Sequence, residues 1–205
     1  MKIFTEAPGR MAEAHIHRDL RSLRKAKRLT LRALAKACGR TPGYLSQIEN
    51  GNATPSLETV GRIADALGVE VSWFFPIEAG QDDRERGIIV RSKARRRLNR
   101  MYSFDTSELG YQDFLLSDDL DLRLMMGLSR YEPGGSTHGT PASSSGHICG
   151  FVLTGRVRLF LDDDDFVLSA EDSFCFDLAR RHDIQNDHDD ISEVLWVISP
   201  ARLDF

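Results

Sequence analysis

Five uncharged hydrogen-bonding side chains fall within ten residues of this chain: Thr41, Tyr44, Ser46, Gln47 and Asn50. Two apolar residues, Leu45 and Ile48, are set among them at helical spacing. On one helix that pattern turns Leu45 and Ile48 inward and Thr41, Gly43, Tyr44, Ser46 and Gln47 outward. The chemistry suits a nucleic acid. A Gln carboxamide can make two hydrogen bonds to adenine N6 and N7, and small hydroxyl or amide side chains suit phosphates and base edges. The expected DNA-contact set is Arg32, Thr41, Pro42, Gly43, Tyr44, Ser46, Gln47 and Asn50. For Tyr44, packing at the helix edge is the competing role.

The flanking sequence supplies the elements that must hold this set. Leu31 to Cys38 reads as a short helix, followed by Gly39 and Arg40. Thr41 is a good N-cap and Pro42 suits the first helical position. The second helix runs to about Glu49 and stops at Asn50-Gly51. Two short helices joined by a tight turn read as a helix-turn-helix, whose second helix enters the major groove. Upstream, Ile16, Leu20, Leu23 and Leu29 recur near helical spacing, with Arg18, Arg21, Arg24, Lys25, Lys27 and Arg28 on the other face. Downstream, Ser56 caps a helix with Leu57, Val60, Ile63, Ala64 and Leu67 apolar, ended by Gly68. Ser72 to Phe75 opens a last short helix, with Trp73 and Phe74 as core.

Leu34-Ala35, the run Tyr44–Gly51, Pro55-Ser56, and Ala64 with Leu67-Gly68-Val69 resemble the Cro/cI-like (XRE) helix-turn-helix regulators. The resemblance covers about the first third of the chain and implies an all-α, five-helix, lambda-repressor-like DNA-binding head at residues 13–77. It also implies that Arg24 and Glu49 pair and orient the second helix. Pro42 and Gly43 sit where such heads often carry polar base readers, which moves the weight of readout to Tyr44 and Gln47.

Residues 78–87 are polar and unpatterned, a linker. Beyond them the apolar period becomes that of strands: Ile88–Arg91, Gln112–Leu116, Leu120–Tyr131, Gly146–Leu153, Val157–Leu161, Phe166–Leu168, Ser173–Phe176, Asp183–Asn186 and Ser192–Ile198. Asp162 to Asp165 is most simply a solvated hairpin turn. Pro133-Gly134-Gly135, Gly150 to Gly155, and Asp172-Ser173-Phe174 with His182 to Asn186 resemble a cupin. That implies an all-β double-stranded jelly-roll barrel over residues 88–205, acting as a small-molecule sensor.

The resemblance also shows where this chain departs. Metal-binding cupins place two His and a Glu where this chain has Ala142, Ser144 and Ile148; only His182 survives. Transition metals need three or four His or carboxylate donors on one face. His138 and His147 lie nearby, but alternation sends His147 to the face opposite Ile148. No metal and no cofactor are expected. The expected pocket is Arg130, Tyr131, Ser144, Ile148, His182 and Asn186, with Arg130, Tyr131 and Asn186 at the rim; His182 as a satisfied core histidine is the other reading. Motifs for hydrolysis, zinc proteolysis or phosphate binding are missing, so no catalytic residue is assigned.

Charge divides the chain in the same place. Residues 1–75 hold 12 Lys+Arg against 7 Asp+Glu, residues 76–100 hold 8 against 4, and residues 101–205 hold 7 against 20. A basic head suits a polyanion, and an acidic tail is kept off it. No apolar run is long enough to span a bilayer and the first residues lack a signal-peptide core. Cys38, Cys149 and Cys175 form no CxxC pair, and Cys38 reads as a buried thiol. A cytoplasmic setting with no membrane partner is expected. The partners are double-stranded DNA bearing a near-palindromic operator, a small-molecule effector and a second copy of the chain. The function so read is a DNA-binding regulator, a repressor, modulated by a ligand in the cupin. The alternatives are a metal-dependent cupin enzyme carrying a DNA-binding head, and a repressor whose cupin only dimerises.

Overall fold

The computed structural model describes residues 8–75, 85, 88–98, 106–117, 120, 124–139 and 145–202. The chain divides into two compact units, Met1–Asp83 and Arg84–Phe205.

The first unit holds α1 (Pro8–Ala26), α2 (Leu31–Cys38), α3 (Pro42–Glu49) and α4 (Leu57–Leu67). Local capping sets the bounds of α2, α3 and α4. The hydroxyls of Thr30, Thr41 and Ser56 accept from the backbone N–H groups of Ala33, Tyr44 and Thr59 at 3.1, 3.2 and 3.3 Å. Each satisfies a donor the helix itself cannot. Gly39 and Gly68 end α2 and α4 in left-handed conformation, φ 65° and 61°. Leu20, Leu23, Leu34, Leu45, Ile48, Ile63 and Leu67 are fully buried, and each contributes about 1.5–3 kcal/mol. Cys38 is buried with them, and burial pushes its thiol pKa up.

Two expectations for this unit need correction. Leu29 lies past the end of α1. The expected fifth helix is a single 3-10 turn, Val71–Phe74, with Trp73 and Phe74 buried. Phe75 is extended, φ −120° and ψ 119°. A residue before proline is disfavoured in the helical region, and Pro76 follows, so the turn cannot propagate.

The second unit is built of antiparallel strands: β1 (Arg96–Arg97), β2 (Tyr111–Leu115), β3 (Met125–Tyr131), β4 (Ser145–Thr154), β5 (Arg156–Leu161), β6 (Asp164–Ser169), β7 (Ser173–Asp177), β8 (His182–Gln185) and β9 (Ser192–Arg202). Six form one sheet in the order β1-β2-β3-β9-β4-β7, and three form another, β6-β5-β8. Asp162 and Asp163 make the two-residue turn between β5 and β6, with Asp162 at φ 57°. Asp162 also accepts from Arg180 Nε at 2.6 Å, so the acidic run is a turn fastened by surface arginine. The expected strand Ile88–Arg91 does not form. The N–H groups of Ile88 and Ile89 both donate to the Glu85 carbonyl, and the chain enters a 3-10 turn at Ser92–Ala94. Of the expected strand Leu120–Tyr131, Met125–Tyr131 forms β3, while residues 121–123 lie outside the described residues.

A helix-turn-helix face and a cupin interior

Gly39, Arg40 and Thr41 form the turn between α2 and α3. The Arg40 N–H donates to the Ala35 carbonyl at 2.9 Å, and its guanidinium donates to the buried Thr59 hydroxyl at 3.1 Å. The turn is thereby tied to α2 and α4 together. Leu45 and Ile48 are buried, which fixes the roll of α3. Arg32, Thr41, Pro42, Gly43, Gln47 and Asn50 are exposed, while Tyr44 and Ser46 are half-buried at the flanks. The site residues thus lie on the outer surface of one helix-turn-helix. Thr41 already serves as the N-cap, and Ser46 Oγ accepts from Asn50 Nδ2 at 3.4 Å. Gln47 is left as the exposed carboxamide of the middle of α3. A Cβ added at Gly43 would meet nothing within 4 Å, so the fold does not require glycine there.

Arg24 fastens α3 from the other end. Its Nε and Nη2 donate to the two Glu49 carboxylate oxygens at 2.6 and 2.9 Å, and Nη1 donates to the Leu29 carbonyl at 2.8 Å. The pair is 15% and 6% exposed, so solvent screens it less than a surface ion pair. The Arg24 guanidinium pKa is raised, first by its hydrogen bond to Glu49.

In the six-stranded sheet, strand alternation puts Asp113, Ser129, Tyr131, Ile148, Trp196 and Phe176 on one buried face. Trp196 Nε1 donates to Ser129 Oγ at 2.8 Å, and Ser129 Oγ donates to Asp113. Glycine makes room for this layer. A Cβ at Gly127 would stand 2.1 Å from the Trp196 indole, and one at Gly150 2.1 Å from the Phe174 ring. His182, on the facing three-stranded sheet, sets its ring 5.1 Å from that of Phe176. Its Nδ1 is 2.9 Å from the Arg180 carbonyl oxygen.

The expected pocket set is divided by this geometry. Ile148 and His182 do approach the same aromatic residue, Phe176, from two sheets. Arg130 and Tyr131 cannot act together, because consecutive strand residues face opposite ways. Arg130 is exposed beside Glu132 and Glu193, at 4.0 and 3.8 Å. Tyr131 is buried and stacked on Tyr111 at 5.6 Å, so it is no rim group; burial first, then the Asp113 carboxylate, push its pKa well up. Asn186 is no rim group either. It is fully buried, and its amide donates to the carbonyls of Tyr131, Glu132 and Asp190 while its oxygen accepts from the His188 N–H. A side chain saturated in this way staples a corner. Ser144 and Ala142 lie outside the described residues.

A transition metal, which the cupin resemblance would allow, does not fit the donors among the described residues. The Ile148 side chain is hydrocarbon, His147 is exposed on the opposite face of β4, and His138 is exposed in a loop. Among the described residues no three His, Cys, Asp or Glu side chains are grouped as metal donors. Sequence reasoning missed Arg40, Asp113, Ser129 and Trp196. Arg40 could have been suspected from its place between the two helices, but the others meet only through strand pairing.

Residues 20–74 match the helix-turn-helix family model and residues 127–198 the cupin domain model. Over 186 residues the chain is 24% identical to the HTH-type transcriptional regulator PuuR of Escherichia coli (strain K12), covering 89% of this chain and 93% of that one. It is 40% identical over 77 residues to the ImmF control region 10 kDa protein of Bacillus phage phi105, covering 35% of this chain and 86% of the phage protein. A solved helix-turn-helix family transcriptional regulator from Vibrio cholerae is 19% identical with a TM-score of 0.40, covering 92% of this chain and 97% of that one. The two family models thus place a helix-turn-helix domain in the first unit and a cupin domain in the second.

Proposed function

We propose that this chain is a sequence-specific DNA-binding transcriptional regulator whose operator affinity is set by a small molecule held inside the cupin. The observation that carries the reading is the outer surface of α3. Leu45 and Ile48 anchor the helix while Gly43, Gln47 and Asn50 stand exposed along it. An exposed carboxamide with glycine one turn away allows close approach to a base edge. The basic balance of the head supplies the sequence-independent part of the affinity. A homodimer would present two such helices to one face of a near-palindromic operator, with half-sites about one helical turn apart. Repression, by occlusion of the promoter, is the output this reading assigns. No helix is long and apolar enough to cross a membrane among the described residues, and we read the protein as cytoplasmic.

The two antiparallel sheets are read as the cupin jelly roll, and the ligand is placed against Ile148, Phe176 and His182. The apolar and aromatic surroundings suit an organic molecule more than a metal cage, so we assign the cupin no catalysis.

Footprinting of the full chain on its genomic site, repeated across salt, tests the DNA reading. The expected result is a paired protected site whose affinity falls steeply with salt. A single asymmetric half-site, or a flat salt response, would count against it. A thermal-shift screen of amines, amino acids and small acids tests the sensor. A ligand that binds only the folded state raises stability by about 2.7 kcal/mol at a hundredfold excess over Kd.

A further inference from the structure

The outer face of the cupin sheet carries a feature that neither DNA binding nor the interior uses. Cys149 on β4 and Cys175 on β7 are directly opposite, and both are exposed. Their register can be placed more finely. The Val152 N–H donates to the Asp172 carbonyl and the Leu178 N–H to the Gly146 carbonyl, both at 2.9 Å. Hydrogen-bonded pairs alternate along an antiparallel ladder, so these two bonds make Cys149 and Cys175 a non-hydrogen-bonded pair. Such pairs have Cα atoms about 4.5 Å apart, inside the disulfide range of roughly 4.4–6.8 Å.

We propose that Cys149 and Cys175 form a two-thiol modification site that closes reversibly to an intrachain disulfide when oxidised by a hydroperoxide. The thiolate of one cysteine attacks the peroxide, the O–O bond breaks, and the leaving alkoxide takes up a proton as an alcohol. The sulfenic acid so formed faces the second thiol. That thiol loses its proton, its sulfur attacks the sulfenic sulfur, the S–O bond breaks, and water leaves with the proton. The two thiols are oxidised by two electrons and the peroxide is reduced by two. A thiol reductant reverses the step. The hydrogen bond to Cys175 pushes the Cys149 thiol pKa up, as two sulfurs in contact should. Cys38 is buried and far in sequence from the pair, which makes it an internal reference.

The site sits where closure would reach the interior. β7 is the edge strand of its sheet, and Phe174 and Phe176, on either side of Cys175, face the opposite way. Linking Cys175 to Cys149 therefore clamps the strand that carries two aromatic residues of the interior.

The experiment titrates the reduced full chain with hydrogen peroxide and follows free thiols, intact mass and non-reducing peptide maps. The expected result is a fall from three thiols to one, with Cys38 remaining. The protein should lose the mass of two hydrogen atoms. The Cys149 and Cys175 peptides should become linked, and dithiothreitol should restore them. Cys149→Ser and Cys175→Ser should each abolish the linkage and leave the other thiol to accumulate oxygen adducts. Should the wild type instead add oxygen to each cysteine separately, link between chains only, or remain at three thiols, the proposal is overturned.

Discussion

The head and the cupin solve the same problem differently. In the head, the parts that hold the site and the parts that would read a partner are separate residues on the same short stretch of chain. Leu45, Ile48 and Glu49 fix α3, while Gly43, Gln47 and Asn50 face out. In the cupin the inward residues are scattered from Asp113 to Trp196, and the same side chains both fill the interior and shape it. A substitution on the outer face of α3 should therefore separate recognition from stability. One in the cupin should not.

Asn186→Ala is the strongest test of that contrast. It removes the donor shared by three carbonyls, and stranded buried groups should cost about 2–4 kcal/mol of cupin stability. Calorimetry should show the cupin transition falling while the head transition stays. If Asn186→Ala keeps the wild-type melting profile and only weakens ligand binding, Asn186 is a pocket residue after all.

Glu49→Ala comes next. It leaves a half-buried Arg24 without its carboxylate and should cost the head about 1–3 kcal/mol. DNA affinity should also fall, with an unchanged salt slope, because neither partner is assigned a phosphate. A reduced slope would place Arg24 on the DNA backbone.

Thr41→Ala removes the α3 cap and should cost about 1 kcal/mol. Thr41→Ser keeps the cap. If Thr41→Ser binds DNA as the wild type does, the residue acts through the cap; if it binds as weakly as Thr41→Ala, the methyl group touches DNA.

Gly43→Ala should do the reverse of these. Nothing stands within 4 Å of the added Cβ, and alanine favours a helix over glycine, so the head should gain about 0.5–1 kcal/mol. On the proposed docking the new methyl would face the groove, so affinity for the operator should nevertheless drop. Higher melting with unaltered affinity would remove Gly43 from the interface.

These differences also explain what could be read from the sequence. Capping and turn chemistry act over three or four residues, so Thr41, Pro42, Gly39 and the burial of Leu45 and Ile48 were legible. The Arg24–Glu49 pair followed from family resemblance. The last short helix is a 3-10 turn, because the residue before proline is disfavoured in the helical region, a constraint carried by one residue, Pro76. In the cupin, most strands were found within a residue or two, yet partners were not. Pairing decides that Asn186 is a staple and that Trp196 reaches Ser129. It also sets Cys149 opposite Cys175, which spacing in sequence could not reveal. Alternation along β3 puts Arg130 and Tyr131 on opposite faces, a separation already implied by their being consecutive.

On the proposed function, α3 reads sequence through the exposed carboxamide of Gln47. The most direct test is the affinity of Gln47→Ala for the cognate operator and for random DNA of equal length, at one fixed salt concentration. The expected loss is about 1–3 kcal/mol on the operator and almost none on random DNA. An equal loss on both would make Gln47 a backbone contact and contradict that role.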